Sequence, residues 1–306
     1  MSSNKIFASI VINNFNYGHF LEQAINSALA QTYSPLEVVV VDDGSQDHSR
    51  QVIESFGDKV IAVLKENGGQ ASTFNEGFER CKGDIIFFLD SDDYFCADKV
   101  EEIIKIFSIN EDIDWCFHSL HYIDDKSGLT LSVKQEEGSK VCDFRNQVIN
   151  AKSFDFHAPA TSGLTFKRGL LENILPMPTA DSVNLSDLYL KTLSMGLAKG
   201  YYLDQKLAVL RVHEQNRYTQ RNDKSILKAE IDLLTGYWIR KNFPCFRKTS
   251  HQMFLRGMRG LFATCSTEHI TMSNIIQQYI KDVSVVELSE TLLRQFYYQI
   301  KFKLLF

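Results

Sequence analysis

The sequence predicts an α/β fold, a mostly parallel Rossmann-like sheet flanked by helices, on the strength of three observations. Through roughly the first hundred residues, short β-branched apolar runs alternate with segments whose apolar residues recur at helical spacing, the pattern of βαβ units. The strand-like runs are nearly all apolar rather than alternating, as expected of parallel strands covered on both faces. Two acidic clusters follow directly on such runs, at the carboxyl ends of strands, where open parallel sheets bind ligands.

In chain order, strands are expected at residues 6–12, 36–41, 59–64 and 85–89. Between them, Phe20, Ala24, Ala28 and Gln31 trace one helix, with Ala24, Ile25, Ala28 and Leu29 turned inward. Val52, Ile53 and Phe56 mark a second, and Ala71, Phe74, Phe78 and Cys81 a third. Val100, Ile103, Ile104 and Phe107 mark a fourth. Such stripes are core. From Trp115 to about Val212 the pattern loosens into expected antiparallel strands, with Asp124 to Gly128 as a hairpin turn and Pro159, Pro176 and Pro178 in loops. Residues 1–217 are expected to form one α/β domain and residues 218–306 a helical extension. That extension ends in Leu292, Leu293, Phe296, Ile300 and Leu304 set among Arg294, Lys301 and Lys303. Such a basic apolar helix could lie on an anionic membrane surface, or pack against the domain or another subunit.

Composition narrows the function. Of 306 residues, 33 are Lys or Arg and 38 are Asp or Glu, a net charge of −5, so no global positive field exists to hold a nucleic acid. The six cysteines form no C-x-x-C pair, which argues against a zinc knuckle or a disulfide framework and for a reducing cytoplasm. Met1 to Lys5 lacks the layout of a secretory signal, and no run approaches the ~20 apolar residues that span a bilayer.

The first acidic cluster is Val41-Asp42-Asp43-Gly44-Ser45, a pattern that also fits a helix cap with a turn glycine. The second is Leu89-Asp90-Ser91-Asp92-Asp93. Three carboxylates in four positions repel one another, and a fold that gathers them normally supplies a cation. Hard oxygen ligands favour Mg²⁺ or Mn²⁺, bound through one or two carboxylates plus substrate phosphates. A solvated acidic turn capping the next helix is the other use of such a cluster. G-x-G-x-x-G is absent after the first strand, against a nicotinamide dehydrogenase. Asn13 to His19 holds one glycine and no Lys or Arg, against the basic Gly-rich loop of a nucleotidyltransferase.

In combination the motifs resemble family 2 glycosyltransferases of the GT-A type, strongly from Ala8 to Lys105 and thinly on to residue 217. The segment from Ser9 to Asn16 resembles the family's opening strand, and Ser27 to Tyr33 its S-x-L-x-Q-T-Y helix end. Val41 to Ser45 matches V-D-D-G-S. Asn67-Gly68-Gly69 with Asn75 and Gly77 follows N-x-G-x(5)-N-x-G loosely, and Gly83-Asp84 leads to the D-x-D-D motif at Asp90 to Asp93. The resemblance implies residues 1–115 as a nucleotide-sugar-binding half and 116–217 as an acceptor-side half. It implies Phe15 and Asn13 beside the base, Asp43 bonded to it, and Gly69 and Gln70 near the donor. Asp90 would face the ribose or sugar, Asp93 would contact the sugar, and Asp92 would bind the metal.

The resemblance also implies a general base in the second half, the Asp of an E-D pair that starts a helix. Asp187 holds that place, with Ser186 where the Glu would be; Asp181 is a rival, and Asp187 could instead simply cap its helix. Arg211-Val212-His213-Glu214-Gln215-Asn216 resembles R-x-H-x-x-N, so Arg211 would neutralise the diphosphate and His213 would help hold the metal. The activity implied is transfer of a sugar, with inversion, from a nucleotide-diphosphate sugar, a UDP-sugar favoured, to a hydroxyl of a glycan or lipid-linked acceptor. Surface polysaccharide assembly is the implied setting. A family member without turnover, serving as a binding module, is the other outcome.

Overall fold

The computed structural model describes residues 5–179, 185–216, 223–263, 270–284, 286, 287 and 289. The chain runs β1 (Ala8–Asn14), α1 (Gly18–Leu29), β2 (Leu36–Asp43), α2 (Ser49–Ser55), β3 (Ile61–Lys65), α3 (Gly69–Arg80), β4 (Ile85–Asp90), β5 (Tyr94–Phe95) and α4 (Lys99–Ile109). It continues through β6 (Trp115–Asp124), β7 (Lys140–Cys142), α5 (Arg145–Ile149), β8 (Leu164–Lys167), α6 (Arg168–Glu172), α7 (Asp187–Leu197) and β9 (Gly200–Val212). Helices α8 (Lys224–Asn242), α9 (Arg247–Ala263) and α10 (Ile270–Asp282) follow.

Among the described residues the strands form one nine-stranded sheet, ordered β3-β2-β1-β4-β8-β6-β9-β5, with β7 also paired to β9. β1, β2, β3 and β4 are mutually parallel, as the apolar runs predict. Side chains split by period two: Ile10 and Ile12, Val38 and Val40, and Phe87 and Leu89 enter one apolar cluster, while Val11, Val39, Val41, Ile86 and Phe88 enter the other. Leu21, Ala24, Ile25 and Ala28 of α1 cover the first face with Val100, Ile103, Ile104 and Phe107 of α4. Ala71 and Phe74 of α3 cover the second. Close contact there requires glycine at position 77, where an added Cβ would lie 2.3 Å from Val11 Cγ1.

The second half departs from the antiparallel expectation. β8 pairs antiparallel with β4 and β6, and β5 and β7 pair antiparallel with β9, but β6 and β9 run parallel. The physical reason is the crossover: after β8 the chain passes through α6 and α7, and that helical return brings β9 back in the direction of β6. The β6–β9 register shifts between His118 and Leu120, where β9 carries extra residues between Leu203 and Ala208. Asp204 pins this bulge, accepting from Ser119 Oγ at 3.1 Å and from the Gly138 amide at 2.9 Å. The hairpin turn falls where expected, closed by the Gly128 amide donating to the Asp124 carbonyl at 2.8 Å.

The helices beyond residue 217 share a core with the sheet: Leu233, Leu234, Tyr237 and Phe254 belong to the same cluster as Trp115, Phe117 and Tyr189. Arg256 clamps α9 to α8, donating to both oxygens of Asp232 at 2.6 and 2.5 Å. The expected terminal helix at 290–306 lies outside the described residues. No helix among the described residues is long and apolar enough to cross a membrane.

Candidate active site

Strand register assembles the site. Asn13 of β1 sits opposite Val41 of β2 and Asp90 of β4, and Asn14 sits opposite Asp42, so both acidic clusters and both asparagines share one edge of the sheet. β1 is an inner strand, flanked by β2 and β4. The cleft beyond the carboxyl ends at such a point is where doubly wound sheets hold ligands.

At the end of β2 neither aspartate caps the helix that follows: α2 begins at Ser49, whose amide donates to Asp47 Oδ1 at 2.9 Å. Asp42 is buried, accepting from Asn14 Nδ2 at 2.9 Å and pairing with Arg50 Nε at 3.3 Å. Asp43, expected to bond a base, ties the loop after β3 to the strand. Lys65 Nζ lies 2.6 Å from its Oδ1, and the Gly68 and Gly69 amides each donate at 2.8 Å. Gly44 at φ +77° makes the turn out of β2, and Gly69 at φ +79° opens α3; both adopt the left-handed region with the ease only glycine has. Phe15 stands at the β1 end, 44% exposed, an open aromatic face of the kind expected against a base.

After β4 the chain turns sharply and gathers three carboxylates: one ligand oxygen each of Asp90, Asp92 and Asp93 lie within 4.8 Å of one another. Asn13 Nδ2 donates to Asp90 Oδ1 at 2.5 Å, and Gln70 Nε2 stands 3.4 Å from the same oxygen. Burial, then the charge of Asp92, push the Asp90 carboxyl up to about 7, and the Asp187 charge adds to the effect. Burial and the charges of Asp92 and Asp90 push Asp93 well above the carboxylate range.

Asp92 accepts from Asn216 Nδ2 at 3.0 Å and faces His213 Nε2 at 3.1 Å. Motif-predicted His213 thus stands on the motif-predicted metal aspartate. Arg211 is buried at 4% exposure, its guanidinium between the rings of Phe20 and Tyr94 at 4.8 and 4.9 Å. Its Nη1 donates to the Asp92 carbonyl at 2.9 Å and its Nη2 to Gln23 Oε1. From there it braces the carboxylate turn rather than standing open to solvent. Asp93, expected as a sugar contact, is 1% exposed and held by Ser162 Oγ at 2.5 Å and the Arg211 amide at 3.1 Å.

These residues fit a divalent cation. Mutually repelling hard oxygens are gathered in one buried turn, an imidazole is at hand, and the ionised form is destabilised until positive charge arrives. The buried Ser91 Oγ, Asn13 Oδ1 and Gln70 Oε1 around the cluster have no protein partner.

Asp187 is the first residue of α7, and Ser186 is the cap, its hydroxyl accepting from the Leu188 amide at 3.3 Å. Capping is therefore Ser186's work. The Asp187 carboxylate pairs with Lys191 Nζ at 2.8 Å, and Lys191 also donates to the Pro159 carbonyl at 3.2 Å. The rival Asp181 lies outside the described residues. Sequence reasoning missed Thr161, Ser162, Lys99, Lys191 and Gln23. Ser162 Oγ accepts from the Asp90 amide at 3.1 Å, and Thr161 Oγ1 is 3.4 Å from Gln70 Nε2. No periodicity marks a short turn that becomes the wall of a site only through β4–β8 pairing.

The family described as Glycosyl transferase family 2 matches residues 9–167. An uncharacterized glycosyltransferase of Nostoc sp. is 35% identical over 214 residues, covering 69% of this chain and 66% of that protein. An uncharacterized glycosyltransferase of Rickettsia typhi is 38% identical over 132 residues, 42% of this chain and 41% of that protein. The chain thus spans from about two fifths to just under two thirds of the length of these relatives. Glycosyltransferase GlyG of Streptococcus pneumoniae serotype 4 is 25% identical over 291 residues, 92% of this chain and 91% of that protein. Among solved structures, S. aureus TarS superposes with a TM-score of 0.61 over 92% of this chain and 50% of that one, at 17% identity. TarS 1–349 in complex with UDP-GlcNAc superposes with a TM-score of 0.58 over 94% and 79%, also at 17% identity. At that identity the likeness is one of fold.

Proposed function

Since the chain belongs to glycosyl transferase family 2 and has the GT-A fold, we propose that it transfers a sugar from a nucleotide-diphosphate donor to an acceptor hydroxyl. The observation that carries this is the convergence of Asp90, Asp92 and Asp93 at the end of the central strands, with His213 on Asp92. Asp92 and His213 would hold a Mn²⁺ or Mg²⁺ ion together with the donor's phosphates, and Asp90 would face the ribose or sugar. Bound there, such an ion supplies Lewis-acid stabilisation of the departing diphosphate. Phe15 offers its exposed ring to the base beside Asn13, and Asp43 holds Gly68 and Gly69, so that Gly69 and the neighbouring Gln70 lie near the donor in this reading. Arg211 and Asp93 keep the carboxylate turn in shape.

Asp187 is the general base in this proposal, taking the acceptor proton as the hydroxyl attacks the anomeric carbon from the face opposite the diphosphate, which inverts configuration. The carboxylate is paired with Lys191 and its charge reaches Asp90, which supports a place at the edge of the donor site. A UDP-sugar is the favoured donor; TarS, which shares the fold, was crystallised with UDP-GlcNAc. A glycan or lipid-linked acceptor in polysaccharide assembly, on the cytoplasmic face of a membrane, completes the proposal. Residues 1–217 would form the transfer domain and 218–306 its helical extension.

The test is nucleotide-diphosphate release from a panel of sugar donors with Mn²⁺ or Mg²⁺, with Asp92→Asn and Asp187→Asn beside the wild type. The proposal expects EDTA and Asp92→Asn to abolish release. Asp187→Asn should keep donor binding and lose turnover by about 10²- to 10⁴-fold. Donors that bind without any metal-dependent release, even with acceptor extracts present, would overturn it in favour of a binding module.

A further inference from the structure

Lys99 is a lysine with no solvent exposure at all, at the first position of α4 and directly beneath the carboxylate turn. Stripping water from an ammonium costs several kcal/mol, so a buried one is retained where it holds something in place. Lys99 Nζ lies 3.4 Å from the Phe95 ring centroid and donates to the Ser162 carbonyl at 2.7 Å. Ser162 is equally buried and faces the site with its other end. Its Oγ donates to Asp93 Oδ2 at 2.5 Å and accepts from the Asp90 backbone amide at 3.1 Å. One serine thus grips both ends of the Asp90–Asp93 turn, and one lysine fixes that serine from the core side.

We propose that Ser162 is a positioning residue for the turn that carries the metal-binding Asp92 and that Lys99 is its anchor, setting through Ser162 the spacing of Asp90 and Asp93, which bracket Asp92. The inference rests on the metal reading of the cluster given above. Partners behind metal-binding carboxylates fix their orientation, and losing one weakens metal binding by about 10- to 100-fold. The alternative job for Lys99 is purely electrostatic. Burial holds its ammonium well below the usual lysine range, while Asp93 is among the groups that favour its charge. The two jobs have opposite signs. A cation beneath the cluster repels Mn²⁺, so its removal would tighten binding if field were all it supplied. If Lys99 is an anchor, its removal loosens the turn and weakens binding.

The experiment is Mn²⁺ titration of wild type, Ser162→Ala, Lys99→Met and the double variant, followed by the electron paramagnetic resonance of free and bound ion. Thermal melts confirm that each variant is folded at the titration temperature. The proposal expects Ser162→Ala and Lys99→Met each to weaken Mn²⁺ binding by about tenfold or more, with an altered bound-ion spectrum. The double variant should lose little beyond Ser162→Ala, because the lysine acts through the serine. Unchanged or tighter binding in Lys99→Met overturns the anchoring role, and unchanged binding in Ser162→Ala overturns the positioning role. Fully additive losses would show two independent effects and overturn the coupling. A wild type that binds no Mn²⁺ would bring down the metal reading itself, an outcome visible before any variant is compared.

Discussion

Replacing Asp90 by asparagine should make the metal-free protein more stable while weakening its stabilisation by metal, since one of the three clustered charges is gone. The carboxyl is raised from 3.8 to about 7 by burial and by Asp92, a difference that corresponds to about 4 kcal/mol against the ionised folded state. Because the folded-state value lies above the unfolded one, the penalty is absent below about pH 4, grows through the interval, and is complete above about pH 7. Asparagine keeps an Oδ1 to accept from Asn13 Nδ2, so the variant sheds the charge and retains the contact. Asp92 and Asp93 share the repulsion, which makes about 4 kcal/mol an upper figure. Urea unfolding in EDTA should then show a gain of about 2–4 kcal/mol at about pH 8 and under about 1 kcal/mol at about pH 4.5. Added Mn²⁺ should stabilise the wild type at the higher pH and stabilise the variant, which keeps Asp92 and His213, by less. An equal gain at both pH values, or a loss at the higher one, would refute the electrostatic account of the cluster.

Three further outcomes follow from the packing. Phe15→Ala should raise KM for the nucleotide donor by about tenfold with little change in melting temperature, since an exposed ring contributes about 1–3 kcal/mol of stacking to a base and little to the core; equal KM would remove Phe15 from the base site. Gly77→Ala should destabilise by about 1–3 kcal/mol in denaturant titration, because the new methyl meets Val11 at 2.3 Å and α3 must shift from β1. Arg211→Lys should lower both stability and metal affinity, since an ammonium cannot sit flat between Phe20 and Tyr94 while reaching the Asp92 carbonyl. Calorimetry with a Mn²⁺ titration checks this last pair together.

The first hundred residues are legible because their signals are local. Runs such as residues 36–41 are nearly all apolar, as inner parallel strands are, and β1, β2 and β4 appear within two residues of their expected ends. The early break of the third strand was not visible: residues 57–59 form a short 3-10 turn before β3, although Lys59 and Val60 read as strand. Asp90, Asp92 and His213 were found by motif and meet in space across 121 positions of sequence. What stayed hidden depends on long-range pairing. Lys99 belongs to no motif and no apolar stripe, and only the placement of β5 and the turn at residues 161–163 against it makes it a core residue. The R-x-H-x-x-N resemblance places Arg211 at the diphosphate but says nothing of its surroundings; the two rings beside its guanidinium come from α1 and β5.

The bulge at Asp204 divides β9 into two stretches that are aligned separately against β6. Gly200 is opposite Trp115 on one side of it and Arg211 is opposite Ile123 on the other, roughly 26 Å away along β6. An uninterrupted ladder would pass any error at the Trp115 end straight to the end that meets Asp93. Here the spare residues between Leu203 and Ala208 act as an expansion joint, and the hydrogen bonds of Asp204 set its length. A lineage of such chains could accordingly remodel the sheet around Trp115 and the helices behind it while the Arg211–Asp93 contact keeps its alignment. Changing Asp204, or inserting a residue beside it, would release that alignment from a distance, with no ligand-binding atom touched.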